Sequence, residues 1–220
     1  MPFDHNDHYH RLVLRQVPRR CRTALDVGCG TGRFARRLAR LGIAVHAVDR
    51  SAAVIEAARA ASAGAQEAGG PRFEQADVTE LDLPAGHYDL VSALASLHHL
   101  PFGTVGALRA ALAPGGVLVI LGCYAERSPA DLVWSLAAVP VNAGVRLALA
   151  LAEGLRRATG RGVPAPPMKP PVEAPTVPLA EIRRQAAVLL PGCTVRRLLF
   201  WRYLLVFRNE DVRHAGERAV

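Results

Sequence analysis

Lysine is almost absent from this 220-residue chain: Lys169 stands alone, and arginines spread along the whole length give the net charge of +8. A basic balance suits phosphate backbones. Scattered arginines in a chain heavy in Ala, Gly and Pro serve general solubility equally well, so a nucleic-acid partner is possible but not favoured. Paired cysteines are missing too. Cys21, Cys29, Cys123 and Cys193 form no Cys-x-x-Cys pair and have no histidine at zinc-finger spacing, so neither a metal site nor a disulfide framework is expected. Long apolar runs are also lacking. The most apolar stretch, residues 132–152, is broken by Pro140, Asn142 and Arg146, and a charge at the centre of a bilayer span costs ~3 kcal/mol. That stretch reads as a buried or lid helix pair, not a membrane span. Residues 1–10 are polar, with His and Asp where a secretory leader would carry a basic run and then an apolar one, so a cytoplasmic protein is expected.

What is present is apolar material in short alternating blocks. Hydrophobic residues make up 50% and charged residues 21%, enough for one domain of ordinary size to bury a sheet covered by helices. Residues 9–17 read as a leading helix ended by Pro18. Strands then alternate with helices: strands at 24–27, 43–48, 72–75, 88–93 and 117–122, helices at 32–41, 51–63 and 104–112. This rhythm implies right-handed βαβ crossovers and a mainly parallel sheet. It breaks after Gly122. Helical segments at 130–138 and 145–157 and a proline-rich loop at 163–178 make residues 124–178 an insertion, read as a lid. A helix at 179–190 and two tightly joined strands at 194–200 and 203–208 complete the chain before a polar tail.

The strongest signal is Leu25-Asp26-Val27-Gly28-Cys29-Gly30-Thr31-Gly32, where a strand gives way to a helix. Alternating glycines let the backbone turn sharply and come close to a ligand, and the helix start offers unpaired N–H groups. A dinucleotide fingerprint needs its third glycine one position later, where Arg33 stands, so a ligand without a pyrophosphate fits better. Asp49 closes the second strand, where a carboxylate can accept two hydrogen bonds from vicinal ribose hydroxyls; the alternative is a cap for the helix that follows. Residues 92–98 end the fourth strand beside the first, at the point where strand order reverses and open α/β sheets bind ligands.

Residues 26–32, Asp49, Asp77 and residues 88–100 resemble, in succession, the motifs of class I S-adenosylmethionine-dependent methyltransferases of the small bacterial type. The resemblance covers residues 23–122. It implies a Rossmann-like, mainly parallel seven-stranded α/β sheet with helices on both faces and an antiparallel last strand. It also implies S-adenosyl-L-methionine as cofactor, with Asp49 on the ribose, Asp77 and Val78 at the adenine, and Asp26 orienting the methionine ammonium. Expected cofactor contacts are therefore Asp26, Gly28, Cys29, Gly30, Gly32, Asp49, Arg50, Asp77, Val78 and Ala93. Tyr9 joins them from an N-terminal segment, residues 1–22, resembling one that closes over the cofactor. The domain plan is one unit of 220 residues: this segment, the core 23–122, the insertion 124–178, and the terminal helix and hairpin 179–208. Asp77 could also be a turn residue.

His98 and His99 are the candidates for a general base, should the acceptor need one; either could instead pack or bond the backbone. The segment after the fourth strand reads Ser92-Ala93-Leu94-Ala95, without the Asn/Asp-Pro-Pro-aromatic pattern of base-amine methylation. No Pro-Cys nucleophile and no carboxylate cluster for a metal occur. A small-molecule acceptor remains the default. An RNA or DNA methyltransferase, and an inactive adenosylmethionine-binding regulator, stay open as alternatives; a nicotinamide oxidoreductase is a distant one.

Overall fold

The computed structural model describes residues 5–63, 69–125 and 175–209, with the single helical positions Gly144 and Leu151. Among these residues the order is α1 (His5–Leu14), β1 (Thr23–Val27), α2 (Arg33–Ala39), β2 (Ala44–Asp49), α3 (Ala52–Ala60), β3 (Arg72–Gln75) and β4 (Tyr88–Leu94). A short 3-10 turn (Leu97–His99) follows, then α4 (Thr104–Ala110), β5 (Leu112–Cys123), α5 (Leu179–Leu189), β6 (Thr194–Arg197) and β7 (Arg202–Arg208). The strands form one seven-stranded sheet in the order β3-β2-β1-β4-β5-β7-β6. Every pair from β3 to β5 is parallel, while β7 runs antiparallel to both β5 and β6. The expected sheet is thus present, and its order reverses between β1 and β4.

Side chains alternate across each strand, so the sheet buries two apolar layers. One packs Ala24, Val45, Leu90, Val119, Leu121, Leu204 and Val206 against Tyr9 and Val13 of α1, Phe34 and Leu38 of α2, and Ile55 of α3. The other packs Leu25, Val27, Val91, Ala93, Leu118, Ile120 and Leu205 against Val105 and Leu108 of α4 and Leu179, Ile182 and Ala186 of α5. β5 lies between β4 and β7 and is buried without a break from Val117 to Cys123. That is why its sequence shows a continuous apolar run and no alternation. Phe34 and Leu38 stand four residues apart on α2, and burying each contributes about 1.5–3 kcal/mol.

Among the boundaries that differ from the sequence-based expectation, three have a clear local reason. The leading helix is His5–Leu14 and not 9–17: Gln16 and Val17 donate to the carbonyls of Val13 and Leu14 in a closing turn. The fifth strand begins at Leu112 and not at 117, because Leu112 already pairs with Tyr88 before a bulge shifts the register to Leu90 and Val117. The strand expected at 194–200 stops at Arg197. Phe200 and Trp201 adopt φ of 59° and 56°, a left-handed conformation costing ~1–2 kcal/mol per non-glycine residue. The turn is held by Leu198 N–H donating to Arg202 O at 2.8 Å, Tyr124 N–H to Trp201 O at 3.2 Å, and the Tyr9 hydroxyl to Leu199 O at 3.1 Å.

The helices expected at 130–138 and 145–157, and the 163–178 loop apart from its last residues, lie outside the described residues. The ends of this insertion are described, and they meet: Ala125 and Pro178 form a parallel bridge, with Ala125 N–H donating to Val177 O at 2.9 Å. Among the described residues no helix is long and apolar enough to cross a membrane.

Candidate functional site

The carboxyl ends of β1 and β2 bring Asp26, the glycine bend and Asp49 together. Asp26 sits on β1 opposite Ser92 of β4, on the face covered by α1 to α3. It is buried, and its Oδ1 accepts the Ser92 hydroxyl at 2.7 Å while Oδ2 has no partner. Burial pushes its carboxyl up to about 7, the Ser92 hydrogen bond opposes the rise, and the charge of Asp49 adds to it. A buried carboxylate oxygen without a donor is costly, so this position suits a ligand that brings a positively charged N–H.

The glycine bend wraps over this carboxylate. Gly28, Gly30 and Gly32 all have positive φ. A Cβ on Gly28 would lie 2.2 Å from Ser96 Cβ, and one on Gly32 would lie 2.5 Å from the Phe73 ring, so only glycine fits either position. Ser96 is itself fixed by donating its hydroxyl to Val27 O at 2.6 Å. Arg36 of α2 reaches back to hold the bend, donating to Thr31 O at 2.8 Å and to the Ser62 hydroxyl at 3.2 Å. Cys29 N–H closes the turn onto Val48 O at 3.0 Å, and burial raises its thiol pKa beyond any ordinary titration range.

Asp49 links the bend to β2. Its Oδ2 accepts Gly30 N–H at 3.0 Å and its Oδ1 accepts Ser51 N–H at 3.0 Å. Each carboxylate oxygen can accept a second bond, so the group can shape the backbone and still receive hydroxyls. Arg50, which follows, is exposed and contributes its carbonyl to the Gln75 side chain at 3.4 Å. Asp77 shapes the turn after β3: Oδ1 accepts Thr79 N–H at 2.9 Å and the Thr79 hydroxyl at 2.7 Å, which holds its carboxyl below the usual range. Val78 beside it is buried in the α4–α5 layer, as is Ala93 on β4.

His98 and His99 lie on the 3-10 turn after β4, both half-buried, their ring centroids 3.9 Å apart and tilted by 40°. Ala95 N–H donates to Leu121 O at 2.7 Å, which ties the start of this segment to the end of β5. Tyr9 is buried and gives its hydroxyl to the β6–β7 turn; burial raises its pKa, against the Leu199 hydrogen bond and the charge of Arg202. Sequence reasoning did not find Ser92 as the partner of Asp26, Ser96 as the filler behind Gly28, or Arg36 as the strut of the bend. The first two depend on strand register. Arg36 carried a signal, an arginine one turn into the helix after a glycine bend.

Comparison with known proteins identifies the family. Residues 25–120 match the family model described as a methyltransferase domain. An uncharacterized methyltransferase of Mycobacterium tuberculosis is 33% identical over 209 residues, 94% of this chain and 97% of the relative. The 27-O-demethylrifamycin SV methyltransferase of Amycolatopsis mediterranei is 35% identical over 111 residues, 49% of this chain and 41% of that one. The structure of a SAM-dependent methyltransferase from Aquifex aeolicus superposes with a TM-score of 0.58 at 14% identity, covering 91% of this chain and 89% of the other, which speaks for the fold alone. The chain belongs to the S-adenosylmethionine-dependent methyltransferases of class I.

Proposed function

We propose that this enzyme holds S-adenosyl-L-methionine against the bend 28–32 and methylates a small molecule received beyond the carboxyl ends of β4 and β5. The observation that carries the reading is the unpartnered Oδ2 of buried Asp26 beneath that bend: it calls for a cation, and an amino-acid ammonium is one. In this reading Gly28, Cys29, Gly30 and Gly32 admit the ligand by close backbone approach, Asp49 receives the ribose hydroxyls on its free lone pairs, and Arg50, Asp77, Val78 and Ala93 border the adenine and the cofactor's methyl end. In the same reading the N-terminal segment that carries Tyr9 closes over the cofactor. The 124–178 segment, rooted where Ala125 meets Pro178, is the cover, within one domain.

When bound, the cofactor supplies a methyl group on a sulfonium, open to in-line displacement. The protein's share is alignment and exclusion of water, and positioning of this kind is worth ~7–11 kcal/mol. In this reading His98 or His99 takes a proton from an acceptor hydroxyl or thiol, a contribution of roughly a hundredfold to ten-thousandfold. The small-molecule reading is supported by the rifamycin relative, a methyltransferase of a small molecule by its name, and by the absence of a base-amine motif in residues 92–95.

Calorimetry of adenosylmethionine and adenosylhomocysteine with the wild-type chain and with Asp26→Asn tests the site. The wild type should bind both, and the variant should lose about tenfold or more, as expected for a hydrogen bond to a charged group. Equal affinities would remove Asp26 from the site, and no binding by well-folded wild type would remove the whole reading.

A further inference from the structure

A second unsatisfied charged group lies at the same edge of the sheet, and the site described so far does not use it. Arg202 opens β7 opposite Cys123, the last residue of β5. Its Nη1 donates to Cys123 Sγ at 2.6 Å, and its Nε is buried with no hydrogen-bond partner. No carboxylate pairs with it among the described residues. Arg202 is half-buried, and an Nε–H shut off from water with no acceptor is costly. The chain nevertheless presents it at the carboxyl edge, where the ligand crevice of an open α/β sheet lies.

Its neighbours keep it in place. Arg202 shares a face with Leu204 and Val206, the face against which α1 packs. The Tyr9 phenol is close enough to feel its charge. The left-handed turn at Phe200 and Trp201 immediately precedes it, and the Tyr124 amide bonds that turn. With Nη1 engaged by sulfur, the edge of the guanidinium that remains is the Nε and Nη2 pair. That edge is the side-on fork which receives two oxygens of one carboxylate or phosphate.

The fork does not serve the cofactor's amino-acid end. Asp26 is in register with Ser92, Ser92 with Val119, and Val119 with Val206, four residues along β7 from Arg202. Three strand spacings of about 4.8 Å and four residues of about 3.3 Å put the two positions roughly 20 Å apart. That is several times the span of an amino-acid head group. Arg202 stands away from the cofactor's amino-acid end, at the edge where β5 and β7 meet.

We infer that Arg202 is a specificity-determining residue and that the acceptor carries an oxyanion, a carboxylate or a phosphate, received by its Nε and Nη2. This rests on the cofactor reading above and narrows the acceptor class within it. It also gives the unpartnered Nε of Arg202 a purpose: its acceptor arrives with the substrate.

The test uses the full chain saturated with adenosylhomocysteine and three probes of like shape, benzoate, phenyl phosphate and benzamide, with binding followed by ligand-observed NMR. The wild type should prefer at least one anion over the neutral amide by about tenfold or more, and which anion wins separates carboxylate from phosphate. Arg202→Gln should abolish the preference and leave adenosylhomocysteine affinity within about twofold, while Arg202→Lys should keep part of it. Equal binding of anions and amide by the wild type overturns the inference whether or not any variant folds, as does a preference that survives in Arg202→Gln. If adenosylhomocysteine fails to bind the wild type, the cofactor reading falls and this inference with it; if it binds and the preference is absent, only this inference falls.

Discussion

Asp26 makes the ligand-free protein pH-sensitive in a direction unusual for a carboxylate. Its carboxyl titrates at about 7 in the folded chain against an ordinary 3.8, so between those values the folded state binds more protons than the unfolded one. Stability should therefore fall as pH rises from about 4 to about 7 and level off above that. Melting temperatures of the wild type across this range should show the slope, and Asp26→Asn should flatten it. The ligand reverses the sense: a bound ammonium draws the proton off Asp26, so cofactor affinity should rise between about pH 6 and 7.5, before a free α-amino group begins to lose its own proton near 8. Asp49 combines two duties. Because its oxygens hold the Gly30 and Ser51 amides, Asp49→Ala should cost about 1–3 kcal/mol of stability as well as cofactor affinity, read by denaturant unfolding beside calorimetry. At this scale the sequence was most legible at the bend, where Asp26, Asp49 and the glycines come together as their places in the motif implied. It was silent on Ser92 and on Arg202, whose roles arise from cross-strand partners that no local pattern names.

Two elements meet at glycines that tolerate nothing larger. In the bend between β1 and α2, Gly28→Ala would drive a methyl to 2.2 Å from Ser96 Cβ and hold alanine at φ 65°. The expected loss is about 2–5 kcal/mol, the sum of a left-handed residue and an overpacked contact. Adding Ser96→Gly should recover the packing part and leave the backbone part, which chemical unfolding of the single and double variants would separate. Between β5 and β7, Gly122 lies opposite Tyr203, and a Cβ there would stand 2.2 Å from the ring; Gly122→Ala should cost about 1–3 kcal/mol. Element order and type were readable because β–α alternation is written in the spacing of apolar residues. Several boundaries were not. A closing turn after α1, a bulge within β5 and a left-handed hairpin tip all depend on bonds to distant backbone groups, and Phe200 and Trp201 show no turn composition that would mark their conformation.

For the molecule as a whole, a ligand that binds only the folded state adds stability by mass action. Adenosylhomocysteine at a hundred times its dissociation constant should raise the unfolding free energy by about 2.7 kcal/mol, and a denaturation midpoint that stays put would speak against a preformed pocket. The overall architecture could be anticipated from sequence because seven apolar blocks and their crossovers admit few topologies. The acceptor could not, since acceptor choice depends on what stands beyond the carboxyl edge of the sheet, and the apolar pattern is blind to that. The bridge between Ala125 and Pro178 bears on how such a difference could arise. A stretch that departs from and rejoins a scaffold at one anchorage can be lengthened, trimmed or traded between cousins without re-registering any strand, so diversification there leaves the adenosyl-binding half of the molecule undisturbed.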